Sequence, residues 1–247
     1  MTIPVTNDAG DRVLIDLTIA APVEAVWEAL RDPALVGRWF GWESDSLAAE
    51  VDYIFFDHAK ADAGARTITF EGTRDRFELS AEGTGSRLRV VRAAPADGTP
   101  WSDVYEDMTE GWIMFVQQLK FGLEGHGLGP RRTLWLSLPK GEREGERPLA
   151  ALGLAGLTGG KVGEVVSCNL PTSDQVTGKL WHVSPRQVSV TVEAWDGLLN
   201  VHDAGSWTGG GGHGPGMVMI TAYGLDDAAF AKLEGRWKAW WAERYSA

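Results

Sequence analysis

Five histidines, at 58, 126, 182, 202 and 213, are the residues of this 247-residue chain best suited to moving protons or holding a metal. A catalytic zinc site needs His pairs at helical spacing with a Glu beside them, or clustered Cys and His. No pair here has that spacing, so neither a metal nor another cofactor is expected. Asp57-His58 has the residue types of an acid–base pair, but neighbours on an extended segment point to opposite faces. A solvated loop pair is the expectation. Glu106-Asp107 could act as paired carboxylates, yet they fall near the start of a predicted helix, where the dipole alone favours acidic residues. Cys168, the sole cysteine, would be a nucleophile only beside a base in electropositive surroundings. Ending an apolar run, it reads as a small core residue. The run Gly209–Gly212, followed by His213-Gly214-Pro215-Gly216, has the glycine density of a phosphate cradle. It lacks the Lys-Ser/Thr ending and the strand-to-helix setting, and reads as a hairpin tip. No catalytic constellation is legible.

The bulk properties narrow the partners. A formal net charge of −11 disfavours nucleic acid, which needs clustered Lys and Arg, and an anionic membrane surface. One cysteine allows no intrachain disulfide. The opening residues are polar, without the basic and apolar blocks of a signal peptide, and no apolar run is long enough for a membrane span. A cytoplasmic location is expected. The 12 Trp are an excess that suits both cores and ligand pockets.

The elements that must position these residues follow from periodicity. Val13, Ile15, Leu17 and Ile19 alternate with Leu14, Asp16 and Thr18, predicting a half-buried strand. Pro22 opens a helix with Val23, Val26, Trp27 and Leu30 on one face, and Asp32-Pro33 breaks it before a short second helix toward Trp39 and Phe40. Strand-like runs are predicted over 50–56, 66–71, 76–81 and 87–93. A long helix then carries Trp101, Val104, Tyr105, Met108, Trp112, Phe115, Val116, Leu119 and Leu123 in steps of three and four, and ends at Gly125 and Gly127.

The second half repeats the plan. Leu134, Leu136 and Leu138 alternate; a shortened, glycine-ended helical segment follows at 148–157; strands are predicted over 162–168, 175–183, 187–193, 197–202 and 217–223. Asp226 caps a last helix with Phe230, Leu233, Trp237, Trp240, Trp241 and Tyr245 on one face. The same order of elements at one offset indicates an internal duplication, with domains at 1–128 and 129–247.

Residues 10–124 resemble the SRPBCC (START-like) superfamily, specifically its Hsp90 ATPase activator homologue-like group. The resemblance rests on Ala21-Pro22, Val26-Trp27, Asp32-Pro33, Arg38-Trp39-Phe40 and the helix through Glu110-Gly111-Trp112. The second half resembles it more weakly, through Tyr223-Gly224-Leu225-Asp226 and its Trp-rich helix, and departs from it at the short 148–157 segment. The resemblance implies an α+β chain of two tandem helix-grip domains, each a curved antiparallel sheet wrapped around a long carboxy-terminal helix. It also implies an apolar cavity lined by Trp27, Trp39, Phe40, Tyr105, Met108, Trp112, Phe115, Phe230, Trp237 and Trp241. The implied function is binding of an extended apolar small molecule, polyketide- or polyene-like, in secondary metabolism such as enediyne biosynthesis. A polyketide aromatase/cyclase, a self-sacrifice antibiotic resistance protein and an Hsp90-type co-chaperone are the alternatives that the same resemblance leaves open.

Overall fold

The computed structural model describes residues 11–73, 75–93, 103–137, 146–203 and 216–245, with side chains from 109 onward in the helix that begins at Asp103. The predicted hairpin tip at 209–216 therefore lies outside the described residues except for Gly216, as do His213 and the side chains of Tyr105, Glu106, Asp107 and Met108. The chain divides into two compact units, each built on its own antiparallel sheet.

In the first unit, β1 (Arg12–Ile19) leads into α1 (Val23–Arg31), α2 (Pro33–Val36) and α3 (Leu47–Asp52), which continues as a π-helical turn over Tyr53–Asp57. β2 (Ala59–Asp62), β3 (Thr67–Phe70), β4 (Asp75–Glu82) and β5 (Gly85–Arg92) complete the sheet, in the order β1-β5-β4-β3-β2. The register slips between Val13 and Ile15, so Leu14 is buried although simple alternation assigns it to the outer face. Asp32 both ends α1 and starts α2, its Oδ1 accepting from the N–H groups of Ala34 and Leu35 at 2.8 and 3.0 Å, with Pro33 at the first helical position.

The strand predicted over 50–56 is instead helical. Val51 and Phe55 are its buried residues, and their spacing of four is that of a helix face rather than of a strand. The loop expected at Asp57-His58 ends this helical turn and opens the edge strand β2, where His58 Nδ1 lies 3.7 Å from Glu71.

The long helix α4 (Asp103–Gly125) contributes to both units: the part from Phe115 groups with the first, the part up to Met114 with the second. Its end is tied to the first sheet by Glu124, whose carboxylate accepts from Ala20 N–H at 2.7 Å, and by Lys120, whose Nζ donates to the Thr18 carbonyl at 2.8 Å.

In the second unit, β6 (Arg132–Ser137) precedes α5 (Pro148–Ala151) and a single 3-10 turn at Ala155–Gly159, the shortened segment that the sequence predicts. β7 (Val165–Asn169), β8 (Gln175–Val183), β9 (Gln187–Val192), β10 (Gly197–Asp203) and β11 (Gly216–Ala222) follow, in the order β6-β11-β10-β9-β8-β7. Both sheets place their first strand beside their last and then run backward through the chain, so the repeat of element order is also a repeat of topology. α6 (Asp227–Tyr245) closes the unit, its start capped by Asp226 Oδ1 accepting from Ala229 N–H at 2.7 Å.

The core of the second unit joins Leu134, Val190, Leu199 and Ile220 of the sheet to Phe230, Leu233 and Trp237 of α6. β8 approaches β9 closely at Gly178, where a Cβ would lie 1.8 Å from the Thr191 carbonyl oxygen. Among the described residues no helix is long and apolar enough to cross a membrane.

Candidate functional site

Each unit has an aromatic interior between its sheet and its helices. In the first, rings pack in a continuous edge-to-face series: Trp39 on Phe55 with centroids 5.6 Å apart, Phe55 on Phe70 at 5.4 Å, and Phe70 on Phe77 at 5.0 Å. Phe40 joins Phe55 at 5.0 Å and Phe115 of α4 at 4.8 Å. Such offset contacts satisfy the ring quadrupoles and fix ring orientation. The Trp39 indole N–H donates to the Ala29 carbonyl at 2.9 Å, which locks the α2 corner onto α1.

A buried ion pair ends this series. Asp75 and Arg92 are register partners on β4 and β5, at 0% and 1% exposure, joined in a fork with Nε–Oδ1 2.6 Å and Nη2–Oδ2 2.8 Å. Period two puts Asp75 on the face of Phe77 and Leu79, and Arg92 on the face of Leu88 and Val90. The bidentate geometry offsets part of the large desolvation cost of both charges. It gives an aromatic interior one charged end. Their parity was the available signal; their pairing needed β4 beside β5.

In the second unit, α6 and the turn before β10 supply the aromatic interior. Trp195 contacts Trp237 at 6.2 Å, Trp237 contacts Trp240 at 6.0 Å, and Trp241 contacts Tyr245 at 4.4 Å. Asp174, in the β7–β8 turn, anchors α6: its Oδ2 accepts from the Trp237 indole N–H and the Thr172 hydroxyl, each at 2.9 Å, and its Oδ1 from Arg236 at 2.6 Å. Tyr245 donates its hydroxyl to the Glu146 carbonyl at 2.7 Å, and burial pushes its phenol up to about 12. The indole Nε1 atoms of Trp240 and Trp241 are buried with no hydrogen-bond partner.

The structure brings Trp39, Phe40 and Phe115 together in the first unit, and Phe230, Trp237 and Trp241 together in the second. Trp27 is half-buried on α1. Trp112 is buried on the part of α4 that groups with the second unit. Cys168 packs half-buried against the second core, and burial raises its thiol, which opposes the thiolate a nucleophile needs.

No family model and no curated protein matches the chain. Among solved structures it is similar to DynU16, described as a putative protein in the dynemicin biosynthetic locus, at 17% identity and a TM-score of 0.30 over 92% of this chain and 93% of that one. It is also similar to the di-domain ARO/CYC BexL from the BE-7585A biosynthetic pathway, at 12% identity and a TM-score of 0.38 over 96% and 99%. A third likeness is to CalU16 from Micromonospora echinospora, at 22% identity and 0.33 over 50% of this chain and 72% of that one. Likenesses this distant carry no functional weight; the α+β architecture stands on the strand pairing of the two sheets.

Proposed function

We propose that the chain binds an extended, largely apolar small molecule of polyketide or polyene type, carrying a few acceptor oxygens, between the second sheet and α6. The observation that supports this reading is the pair of buried indole N–H groups on Trp240 and Trp241, which meet no acceptor. Leaving such a donor unmatched costs about 1–3 kcal/mol each. A ligand carbonyl or ether oxygen restores that energy on entry, so ligands with acceptors bind in preference to plain hydrocarbons. Phe230, Trp237 and Trp241 are the proposed lining there. In the first unit Trp39, Phe40 and Phe115 are the proposed counterparts, with the half-buried Trp27 on α1 beside them. The sequence resemblance carried by Ala21-Pro22 and Arg38-Trp39-Phe40 points the same way, to secondary metabolism.

The test is quenching of tryptophan fluorescence by methyl retinoate, a linear polyene ester, set against progesterone, a compact ketone. The polyene should quench at lower concentration, and Trp240→Phe and Trp241→Phe should each weaken it by about fivefold or more. Equal quenching by both compounds, with no effect of either substitution, sinks the reading.

A further inference from the structure

Both faces of β9, β10 and β11 in the second sheet are buried. Val188, Val190, Leu199 and Val201 join the core with α6, so the residues that alternate with them point the other way. On that opposite face Ser189 stands between His182 and Asn200 in the register, Gln187 stands against His202, and Met219 and Met217 continue the two rows on β11. Gln187, Ser189 and Asn200 are each 0% exposed and His202 1%. α4, whose part up to Met114 groups with this unit, meets the face at Glu110: Gln187 Nε2 donates to the Glu110 main-chain carbonyl at 3.3 Å.

This polar layer is not closed upon itself. The Ser189 hydroxyl is hydrogen-bonded to Asn200 Oδ1, while Asn200 Nδ2 and Gln187 Oε1 are buried without partners. Interchanging the ends of the Asn200 amide leaves Oδ1 unmatched instead, and the Gln187 amide is fixed as it stands, because its Oε1 cannot face the Glu110 carbonyl. Folded proteins rarely leave such atoms bare. The two belong to diagonal neighbours on adjacent strands, within span of one aromatic ring.

We infer that this face is a second small-molecule site, taking an uncharged phenolic ketone whose carbonyl accepts from Asn200 Nδ2 and whose hydroxyl donates to Gln187 Oε1. Met217 and Met219, at 3% and 0% exposure, offer a polarisable surface to the ring. The His182 Nε2 atom is buried, and burial lowers that imidazole to about 4, so it brings no charge at neutral pH. One amide donor and one amide acceptor, each uncharged, match a ketone and a phenol rather than a carboxylate or phosphate. The site lies on the face away from α6 and does not rest on the reading proposed for that interior.

The probe is meta-hydroxyacetophenone, with meta-ethyltoluene as its counterpart lacking both oxygens. In the 15N-labelled full chain, the side-chain amide signals of Asn200 and Gln187 should move with the ketone and stay in place with the hydrocarbon. Asn200→Leu and Gln187→Met should each weaken ketone binding at least tenfold, while Trp241→Phe leaves it unchanged. Stationary amide signals in the wild-type chain, or wild-type affinity in both amide variants, would overturn the site and assign these atoms to trapped water only.

Discussion

Trp237 and Asp174 are joined by a hydrogen bond of 2.9 Å from the indole N–H to Oδ2, and together with the Arg236 contact to Oδ1 it fixes the closing helix to the β7–β8 turn. Trp237 is 0% exposed, so Trp237→Ala should cost about 3–5 kcal/mol in denaturant unfolding. Asp174→Ala leaves the buried donors of Trp237 and Thr172 unmatched and should cost about 1–3 kcal/mol, with Asp174→Asn costing less. A loss of only about 0.5 kcal/mol for both alanine variants, the range of a surface site, would refute the anchor.

Tyr245 should remain un-ionised well above pH 10, its phenol being raised to about 12 chiefly by burial. Its contribution to stability is full below pH 10, where neither state has lost the proton. It declines as pH rises from 10 to 12, because the unfolded chain ionises first. Ultraviolet titration of phenolate absorbance tests this directly, with Tyr245→Phe removing the late-titrating signal; a single transition near pH 10 for all tyrosines contradicts it.

His182 has the opposite sign. Burial lowers it from 6.5 to about 4, so the folded chain resists a proton that the unfolded chain accepts. Stability should fall as pH drops through that window, by at most about 1.4 kcal/mol per unit from this group. His182→Gln should flatten the pH dependence of the unfolding midpoint there; an unchanged slope would show that the imidazole titrates normally.

Two glycines should respond oppositely to alanine. At Gly178 the new Cβ meets the Thr191 carbonyl, so β8 and β9 must part, at a cost of about 1–3 kcal/mol or more. At Gly235, inside α6, nothing lies within 4 Å and the position is exposed, so Gly235→Ala should stabilise by about 0.5–1 kcal/mol. Thermal unfolding of the two variants decides it.

Much of this architecture was legible because alternation and helical spacing are local. β8 to β11 and α6 were predicted within a few residues, and so was the Asp32-Pro33 break. The segment 50–56 was misread because Val51, Ile54 and Phe55 suit a strand by composition, and only their spacing shows the helix. The ion pair of Asp75 and Arg92 and the layer around Gln187 and Asn200 stayed hidden for another reason. Alternation says which residues share a face, but a polar residue reads as solvated until something distant is known to cover it. Here the cover is chain far away in sequence, such as Glu110 over Gln187.

The placement of each first strand beside its last has a consequence for synthesis on the ribosome. Leu17 pairs with Leu88, and Leu134 with Ile220, so β1 and β6 emerge early and wait for nearly their whole sheet before finding a partner. β2 to β5 and β7 to β11 form hairpin by hairpin as they appear, whereas these two strands must close the longest loops among the described strand pairings. Until then the waiting strands expose unpaired edges and apolar side chains, and each half becomes resistant to proteases only when its final strand has left the tunnel.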